Sequence, residues 1–85
     1  MTPPQCRAAR ALLNWTQQEI ANLARVSAVT IRNFENEKST PQRATLDVIQ
    51  RAFESAGVEF SNGDRPGVHL TKVAARSAKT SKEKG

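Results

Sequence analysis

The sequence has very few of the side chains that build disulfides, metal centres and catalytic pairs. Its 85 residues include one cysteine, Cys6, one histidine, His69, and no tyrosine. A lone cysteine cannot form a disulfide within the chain and fits a reducing compartment. One cysteine and one histidine are also too few for a typical zinc site. Because no nucleophile stands beside a base in a recognisable pattern, the sequence predicts no enzyme activity, no metal and no cofactor.

Long apolar runs are missing as well. No stretch approaches the roughly 20 apolar residues that cross a bilayer, and no basic segment followed by a long apolar one opens the chain. The sequence therefore predicts a soluble, cytoplasmic protein. Its length predicts one small domain, since roughly 70 residues remain for a core once the polar ends are discounted.

Positive charge is in excess. Thirteen Lys and Arg against eight Asp and Glu give a formal net charge of +5 and a pI near 10.2. This balance favours a polyanionic partner such as nucleic acid or an acidic membrane surface. Charge of this size can equally belong to a solvated surface, so a motif is needed to decide between the two.

Start signals and the helical period predict two helices in the first part of the chain. Thr2, followed by two prolines, is typical of a helix start, and this helix runs to about Leu13. Thr16 with Glu19 three residues later forms a capping box. That box predicts a second helix over about residues 17–24, with apolar positions at the helical spacing.

Two further helices follow. Ser27 can cap a third helix that reaches about Asn36. Thr40 and Pro41 are interpreted as the cap and first residue of a fourth helix, because proline is tolerated where its missing N–H has no partner. Gly57 is the expected stop of that helix.

Beyond that stop the apolar period changes to two. Residues 58–60 and 68–70 alternate, and turn formers fill the segment between them, so a small hairpin is predicted over residues 58–73. Two strands alone are marginal in water, so the hairpin must pack on a surface or pair with a second copy. Residues 74–85 are basic with almost no apolar content, which predicts a disordered tail.

The second and third helices are separated by a tight break. The small Ala21 lets another helix approach closely, and Val26, Ile31 and Phe34 supply the apolar anchors of the third helix. Such a pair can fold into a helix-turn-helix whose second helix fits the DNA major groove. Residues 1–57 are therefore expected to form a helix-turn-helix DNA-binding domain.

Over roughly residues 5–56 the sequence resembles the XRE or Cro-like helix-turn-helix family of phage and bacterial transcriptional regulators. The matching residues are Arg7-Ala8-Ala9-Arg10, Trp15-Thr16-Gln17-Gln18-Glu19-Ile20-Ala21, Val26-Ser27, Thr30-Ile31, Phe34-Glu35-Asn36 and Pro41. The resemblance implies an all-α, compact bundle of four to five helices of the lambda-repressor-like type, with a small C-terminal β-hairpin. It also implies that residues 27–35 form the recognition helix.

The resemblance further implies roles for individual residues. Side chains in or beside the major groove are expected at Ser27, Ala28, Val29, Thr30, Arg32 and Asn33. Gln17 is expected at a helix N-terminus against a phosphate. Arg10 and Glu35 are similar to an internal ion pair of the family that ties the first helix to the end of the recognition helix.

The residue types fit such contacts. Asn33 can make two hydrogen bonds to the major-groove edge of adenine, and Arg32 can pair with guanine or reach a phosphate. Val29 and Ala28 can pack on a thymine methyl group. The plain alternative is that these are ordinary solvent-exposed helix positions.

Phosphate contacts are expected around the ends of the second, third and fourth helices, where open N–H groups and cations can hold anions. The candidates are Gln17, Gln18, Arg25, Ser27, Lys38, Ser39, Thr40 and Arg43. Ordinary capping and solvated charge are the alternative interpretation of this set.

Two residues depart from the family pattern. Arg25 stands where the family usually has Gly or Asn, so the turn must either place an arginine in the left-handed conformation or adopt another geometry. Glu37 replaces a frequent glycine after the recognition helix and puts an acid near the expected DNA backbone.

Three other residues invite functional interpretations but favour structural ones. Trp15 could stack on a base, yet core packing is expected beside the second helix. His69 alternates with apolar neighbours and is expected to face water. Cys6 lies on the apolar stripe of the first helix, where an inert buried thiol is expected.

The predicted function is a sequence-specific DNA-binding transcriptional regulator, a repressor that binds an inverted repeat in double-stranded DNA as a homodimer. One recognition helix reads only a few base pairs, so two linked by symmetry are needed. Dimer contacts are expected from the hairpin, with the fourth helix as the alternative surface. The hairpin candidates are Val58, Phe60, Val68 and Leu70.

Two alternatives remain open at this point. An antitoxin would use the same DNA-binding module while sequestering a toxin, with the basic tail folding on that partner. An interaction protein would use the helical bundle for contacts with another regulator alone.

Overall fold

In residues 1–61 and 66–70, which a computed structural model describes, four helices precede a two-stranded antiparallel hairpin. In chain order the elements are α1 (Pro3–Leu13), α2 (Gln17–Ala24), α3 (Ala28–Glu35), α4 (Arg43–Ser55), β1 (Val58–Ser61) and β2 (Gly67–Leu70). This order confirms the predicted all-α bundle with a small C-terminal hairpin. The basic tail predicted at residues 74–85 lies outside the described residues. None of the described helices is long and apolar enough to cross a membrane.

The first three helices begin where the sequence predicts. The Thr2 hydroxyl accepts from the Gln5 backbone N–H at 3.2 Å, and the Gln5 side chain accepts from the Thr2 N–H at 2.8 Å. Thr16 and Glu19 form the same reciprocal pair at 3.0 and 2.7 Å. Ser27 caps α3 through its side chain. Each cap satisfies N–H groups that the first turn leaves open.

The start of α4 differs from the prediction. The helix begins at Arg43 after Gln42, whose side chain makes no capping hydrogen bond. Thr40 is exposed and Pro41 precedes the helix, so their assignment as cap and first helical residue is wrong. Gln42 is still extended, with φ −61° and ψ 156°, so the chain does not enter the helix until Arg43.

A single core collects apolar side chains from all four helices and β1. Its buried members are Cys6, Ala9, Ile20, Ala21, Ala24, Ile31, Phe34, Ile49, Phe53 and Val58. The Phe53 ring stacks on Trp15 with centroids 5.8 Å apart and meets Phe60 at 6.1 Å. These contacts confirm that Trp15 packs on the core.

The hairpin packs its apolar side on this chain's own core. Val58 is only 1% exposed, and Phe60, Val68 and Leu70 lie partly buried against the same cluster. The Val58 side chain therefore belongs to the core of the monomer, and the pairing of this hairpin with a second copy stays a prediction. Packing on the bundle also explains how two short strands are stabilised.

Gln5 fixes the hairpin to α1. Its Nε2 donates to the backbone carbonyls of Ser61, at 2.9 Å, and Gly67, at 3.1 Å. These two residues face each other across the strands at the turn end of the hairpin. One buried amide therefore satisfies a carbonyl from each strand and holds the hairpin in register with the helices.

Arg25, in the turn between α2 and α3, was expected either to adopt the left-handed conformation or to force another turn geometry. This residue adopts the left-handed conformation, with φ 61° and ψ 45°, which lets the Val26 N–H donate to the Ala21 carbonyl at 2.9 Å. The conformation brings the Cβ of a non-glycine residue close to a carbonyl oxygen and costs about 1–2 kcal/mol. Glu37 is also left-handed, with φ 61°.

Arg25→Gly is therefore expected to raise the free energy of unfolding by about 1 kcal/mol, because glycine adopts this conformation without steric cost. Urea denaturation followed by circular dichroism measures the change. Arg51→Gly, the same substitution inside α4, is the control and should lower stability by about 1 kcal/mol. Destabilisation by both variants would contradict strain at Arg25.

Candidate nucleic-acid interface

Helix α3, which the resemblance implies is the recognition helix, has one buried side and one outward side. Ile31, Phe34 and Glu35 are buried in the bundle. On the other side Val29 is 50% exposed and Arg32 is exposed. Residues three and four apart share a helix face, so Arg32 and the half-buried Asn33 lie beside Val29. This arrangement presents an apolar group, a cation and an amide on one surface.

The other three base-reading candidates are differently placed. The Ser27 hydroxyl accepts from the Thr30 N–H at 3.0 Å and lies 2.9 Å from the Thr30 hydroxyl. Ala28 is partly buried against the core. The Ser27 hydroxyl thus caps α3, and the Thr30 hydroxyl is hydrogen-bonded to it. The side chains of Val29, Arg32 and Asn33 are not engaged in this cap and are available to a ligand.

The phosphate candidates fall into separate groups. Lys38, Ser39, Thr40 and Arg43 are exposed along the segment that joins α3 to the start of α4. Gln17 and Gln18 open α2, but both amides already have partners. Gln17 Nε2 donates to Glu35 Oε1 at 3.1 Å, and Gln18 Nε2 donates to Asn22 Oδ1 at 2.8 Å. Arg25 borders a groove between α2 and α4.

The Glu35 carboxylate is the centre of a buried cluster at the end of α3. Arg10 donates two hydrogen bonds to this carboxylate, from Nε to Oε2 at 2.7 Å and from Nη2 to Oε1 at 2.8 Å. Gln17 from α2 and the Cys6 thiol, 3.3 Å from Oε2, complete the set of donors. Arg7 adds a hydrogen bond to the Glu35 backbone carbonyl. The end of the recognition helix is therefore fixed to both α1 and α2.

Hydrogen bonds, burial and neighbouring charges together shift the pKa values of Glu35 and Cys6. Burial acts to raise the pKa of Glu35, but donors from Arg10, Gln17 and Cys6 outweigh it and hold the pKa below its ordinary value. Burial and the nearby carboxylate raise the pKa of the Cys6 thiol. The thiol stays protonated and can donate, which agrees with the expectation of an inert buried cysteine.

The sequence indicated only part of this cluster. The Arg10–Glu35 pair is implied by the resemblance, whereas the contributions of Cys6 and Arg7 were missed. Cys6 and Arg10 are four residues apart, and Arg7 is three before Arg10. This spacing is the signal that could have placed the three on one face of α1.

The single histidine faces water, as expected. His69 Nε2 lies 2.6 Å from Glu59 Oε1 across the two strands, with both side chains largely exposed. Within the described residues no group of three or more metal-ligating side chains occurs. An exposed cross-strand pair of this kind contributes little to stability.

Comparison with known families identifies the family to which this fold belongs. Residues 7–60, from α1 into β1, match the family model described as helix-turn-helix. The chain belongs to this family. Its XRE-like helix-turn-helix makes it a DNA-binding transcriptional regulator. A search of curated proteins gives no significant match.

Proposed function

We propose that this helix-turn-helix protein is a repressor that binds an inverted-repeat operator as a homodimer, with α3 in the major groove. The observation that carries the proposal is the outward face of α3, where Val29, Arg32 and Asn33 lie together while the end of the helix is held by the Glu35 cluster. A rigid support of this kind keeps reading side chains in a defined position relative to the bundle.

Each of the three side chains has a defined target in the major groove. The Asn33 amide matches the paired donor and acceptor of adenine, and the Arg32 guanidinium matches the two acceptors of guanine. Val29 offers an apolar surface to a thymine methyl group. We assign supporting positions to Ser27, Ala28 and Thr30, which lie at the start of α3 and can approach the backbone.

Phosphates are proposed to bind on both sides of α3. Lys38, Arg43 and the hydroxyls between them would hold one strand beside the start of α4, where open N–H groups attract anions. Gln17, Gln18 and Arg25 are the candidates beside α2. In the free protein the Gln17 amide is oriented by Glu35, which leaves one N–H of its amide group for a phosphate.

Two copies are proposed to bind together, because one short helix reads too few base pairs for useful specificity. With the Val58 side chain assigned to the core, the hairpin can contribute its backbone edge and its outer face, which carries Glu59 and His69. The exposed side of α4 is the alternative contact. Either contact must set the two copies of α3 about one helical turn of DNA apart.

Selection of bound fragments from a random DNA library tests the proposal directly. The expected result is an enriched inverted repeat whose half-site centres lie about 34 Å apart, or one helical turn. A single enriched half-site would contradict the dimer, and failure to enrich any sequence would contradict specific binding. Sedimentation of the protein with and without the enriched fragment gives the number of copies bound.

Lys38→Ala and Arg43→Ala are each expected to reduce the magnitude of the salt dependence, d log K/d log[salt], by about 0.9, because each removes one phosphate contact. The loss should be similar on all sequences. Fluorescence anisotropy titrations at several salt concentrations measure the slope. Arg51→Ala, farther along α4, is the matched control and should leave it unchanged. Equal slopes for all variants would remove these residues from the interface.

A further inference from the structure

The Gln17 side chain joins the buried Glu35 cluster to the surface at the start of α2. Its Nε2 donates to Glu35 Oε1 at 3.1 Å, and the residue is partly exposed. Glu35 itself is only 2% exposed. The amide therefore directs one N–H at a buried carboxylate, while its second N–H has no partner among the described residues.

The acceptor that Gln17 uses is held in place by other residues. Arg10 donates to both oxygens of the Glu35 carboxylate, and the Cys6 thiol donates to Oε2. Both of these donors lie on α1, so the position of the carboxylate does not depend on α2. A side chain fixed in this way by its own hydrogen bonds can hold a neighbour in a defined geometry.

The chemistry of the carboxylate decides which end of the Gln17 amide faces it. An ionised carboxylate only accepts hydrogen bonds, so it pairs with the NH₂ group of an amide and not with its carbonyl oxygen. The lowered pKa of Glu35 keeps the group ionised at neutral pH. The amide is therefore prevented from turning over, because that rotation would place one oxygen against another.

We propose that Glu35 is a positioning residue for DNA binding, which holds the Gln17 amide with its second N–H toward a backbone phosphate. The inference rests on the proposed function, in which Gln17 is a phosphate contact. Phosphate oxygens, like carboxylate oxygens, only accept hydrogen bonds. An amide that turns over would present its carbonyl oxygen to the phosphate part of the time, whereas the amide held by Glu35 always presents a donor.

The same contact links the phosphate site to α3. Glu35 is the last residue of α3, and Gln17 is the first residue of α2. Their hydrogen bond therefore fixes the proposed phosphate contact relative to the helix that carries the reading side chains. Ordering one long side chain during binding typically weakens affinity about 2-fold to 10-fold. Glu35 orders Gln17 before DNA arrives, so this loss is avoided.

The plain alternative is that Gln17 only completes the hydrogen bonds of the buried carboxylate. A second pair of the same chemical type provides a comparison, because Gln50 Nε2 donates to Glu54 Oε2 at 2.9 Å on the exposed surface of α4. That carboxylate is in water and is not held by an arginine pair. The proposal requires the two glutamine amides to behave differently.

Nuclear magnetic resonance of the ¹⁵N-labelled full-length chain tests this difference in the free protein. Side-chain relaxation is expected to show a rigid NH₂ group at Gln17 and a mobile one at Gln50. Adding a duplex enriched from the random library should shift the NH₂ resonances of Gln17 and leave those of Gln50 in place. Equal mobility of the two groups, or a Gln17 NH₂ group that ignores DNA, would overturn the inference.

A double-mutant cycle then shows whether Glu35 acts through Gln17. Gln17→Ala should weaken DNA binding about tenfold, because it removes a hydrogen bond to a charged group. Arg10→Met combined with Glu35→Leu removes the carboxylate together with its cation. This pair of substitutions should weaken binding about 2-fold to 10-fold when Gln17 is present, but less than about 2-fold in the Gln17→Ala background.

Anisotropy titrations on one duplex at one salt concentration measure the cycle, with circular dichroism to show that each variant is folded. Gln50→Ala is the matched control and should bind as the wild type does. Equal losses in the two backgrounds would assign Glu35 a structural role alone. The relaxation measurement needs no substitution, so it decides the question even if the combined variant does not fold.

The results also separate this inference from the function on which it rests. Gln17→Ala that binds as tightly as the wild type would overturn the positioning role and leave the repressor proposal intact. A wild-type protein that binds none of the duplexes would refute the proposed function, and this inference with it.

Discussion

Arg10→Met is expected to lower the free energy of unfolding by about 3 kcal/mol, because it leaves the Glu35 carboxylate buried without its cation. Glu35 is only 2% exposed, and Arg10 supplies two of its hydrogen bonds. Small domains have a total stability of roughly 5–15 kcal/mol, so the variant should be close to unfolding at moderate temperature. Urea denaturation followed by circular dichroism gives the difference.

The loss should depend on pH in a defined direction. In the wild-type protein the pKa of Glu35 is lowered, so its contribution to stability is present above the ordinary carboxyl pKa and is lost as pH falls through the lowered value. In the variant, burial without Arg10 raises the pKa of Glu35. The buried group can then take up a proton, and the difference between the two proteins should shrink as the pH falls toward the ordinary carboxyl pKa.

Two variants control this experiment. Arg51→Met removes an exposed arginine of α4 and should change stability by less than about 0.5 kcal/mol. Arg10→Met combined with Glu35→Leu removes the buried charge along with its partner and should recover part of the loss. If Arg10→Met cost no more than Arg51→Met at every pH, the pair would behave as a surface ion pair and would not orient α3.

The sequence predicts where the first three helices start because a helix cap forms between residues of the same turn. Thr2 and Thr16 each meet a side chain three residues later in the same turn, so spacing alone is sufficient to predict the cap. The start of the fourth helix is not predicted in the same way. Thr40 and Pro41 look like a start, but the chain stays extended through Gln42 and the helix begins two residues after the proline.

The hairpin shows what alternation cannot decide. A period of two indicates that Val58 and Phe60 share an apolar face, but it does not say whether that face meets the same chain or a second one. The answer depends on the surface that the helices provide, which includes Phe53, close in sequence, and Trp15, far from the hairpin in sequence. The burial of the Val58 side chain is therefore a property of the whole fold, and the dimer contact predicted for this hairpin stays a prediction.

The Glu35 cluster depends partly on signals that can be recognised in the sequence and partly on tertiary packing that cannot. Family resemblance implies one of its ion pairs, whereas the Cys6 and Arg7 contacts depend on how closely α1 approaches the end of α3. Arg25 is similar, since the sequence leaves two turn geometries open and only the folded chain selects the left-handed one.

Arg32→Ala and Asn33→Ala are each expected to weaken binding to the selected operator by about 1–3 kcal/mol, roughly 5-fold to 150-fold, while leaving the fold intact. Both side chains lie on the outward face of α3, where truncation creates no cavity in the core. Anisotropy titrations at one fixed salt concentration, on the operator and on a scrambled duplex, measure the effect. Arg51→Ala is the matched control and should bind as the wild type does.

The comparison of the two duplexes decides what the side chains do. A base contact should be lost on the operator and not on the scrambled duplex, whereas equal losses on both would reduce Arg32 and Asn33 to electrostatic contacts. An operator in which adenine lacks its N7 acceptor sharpens the test. Wild-type protein should bind it more weakly, but Asn33→Ala should not distinguish it from the natural operator, because the amide that uses N7 is gone. If both proteins respond equally to the missing acceptor, Asn33 does not read adenine and the proposed register of α3 in the groove must change.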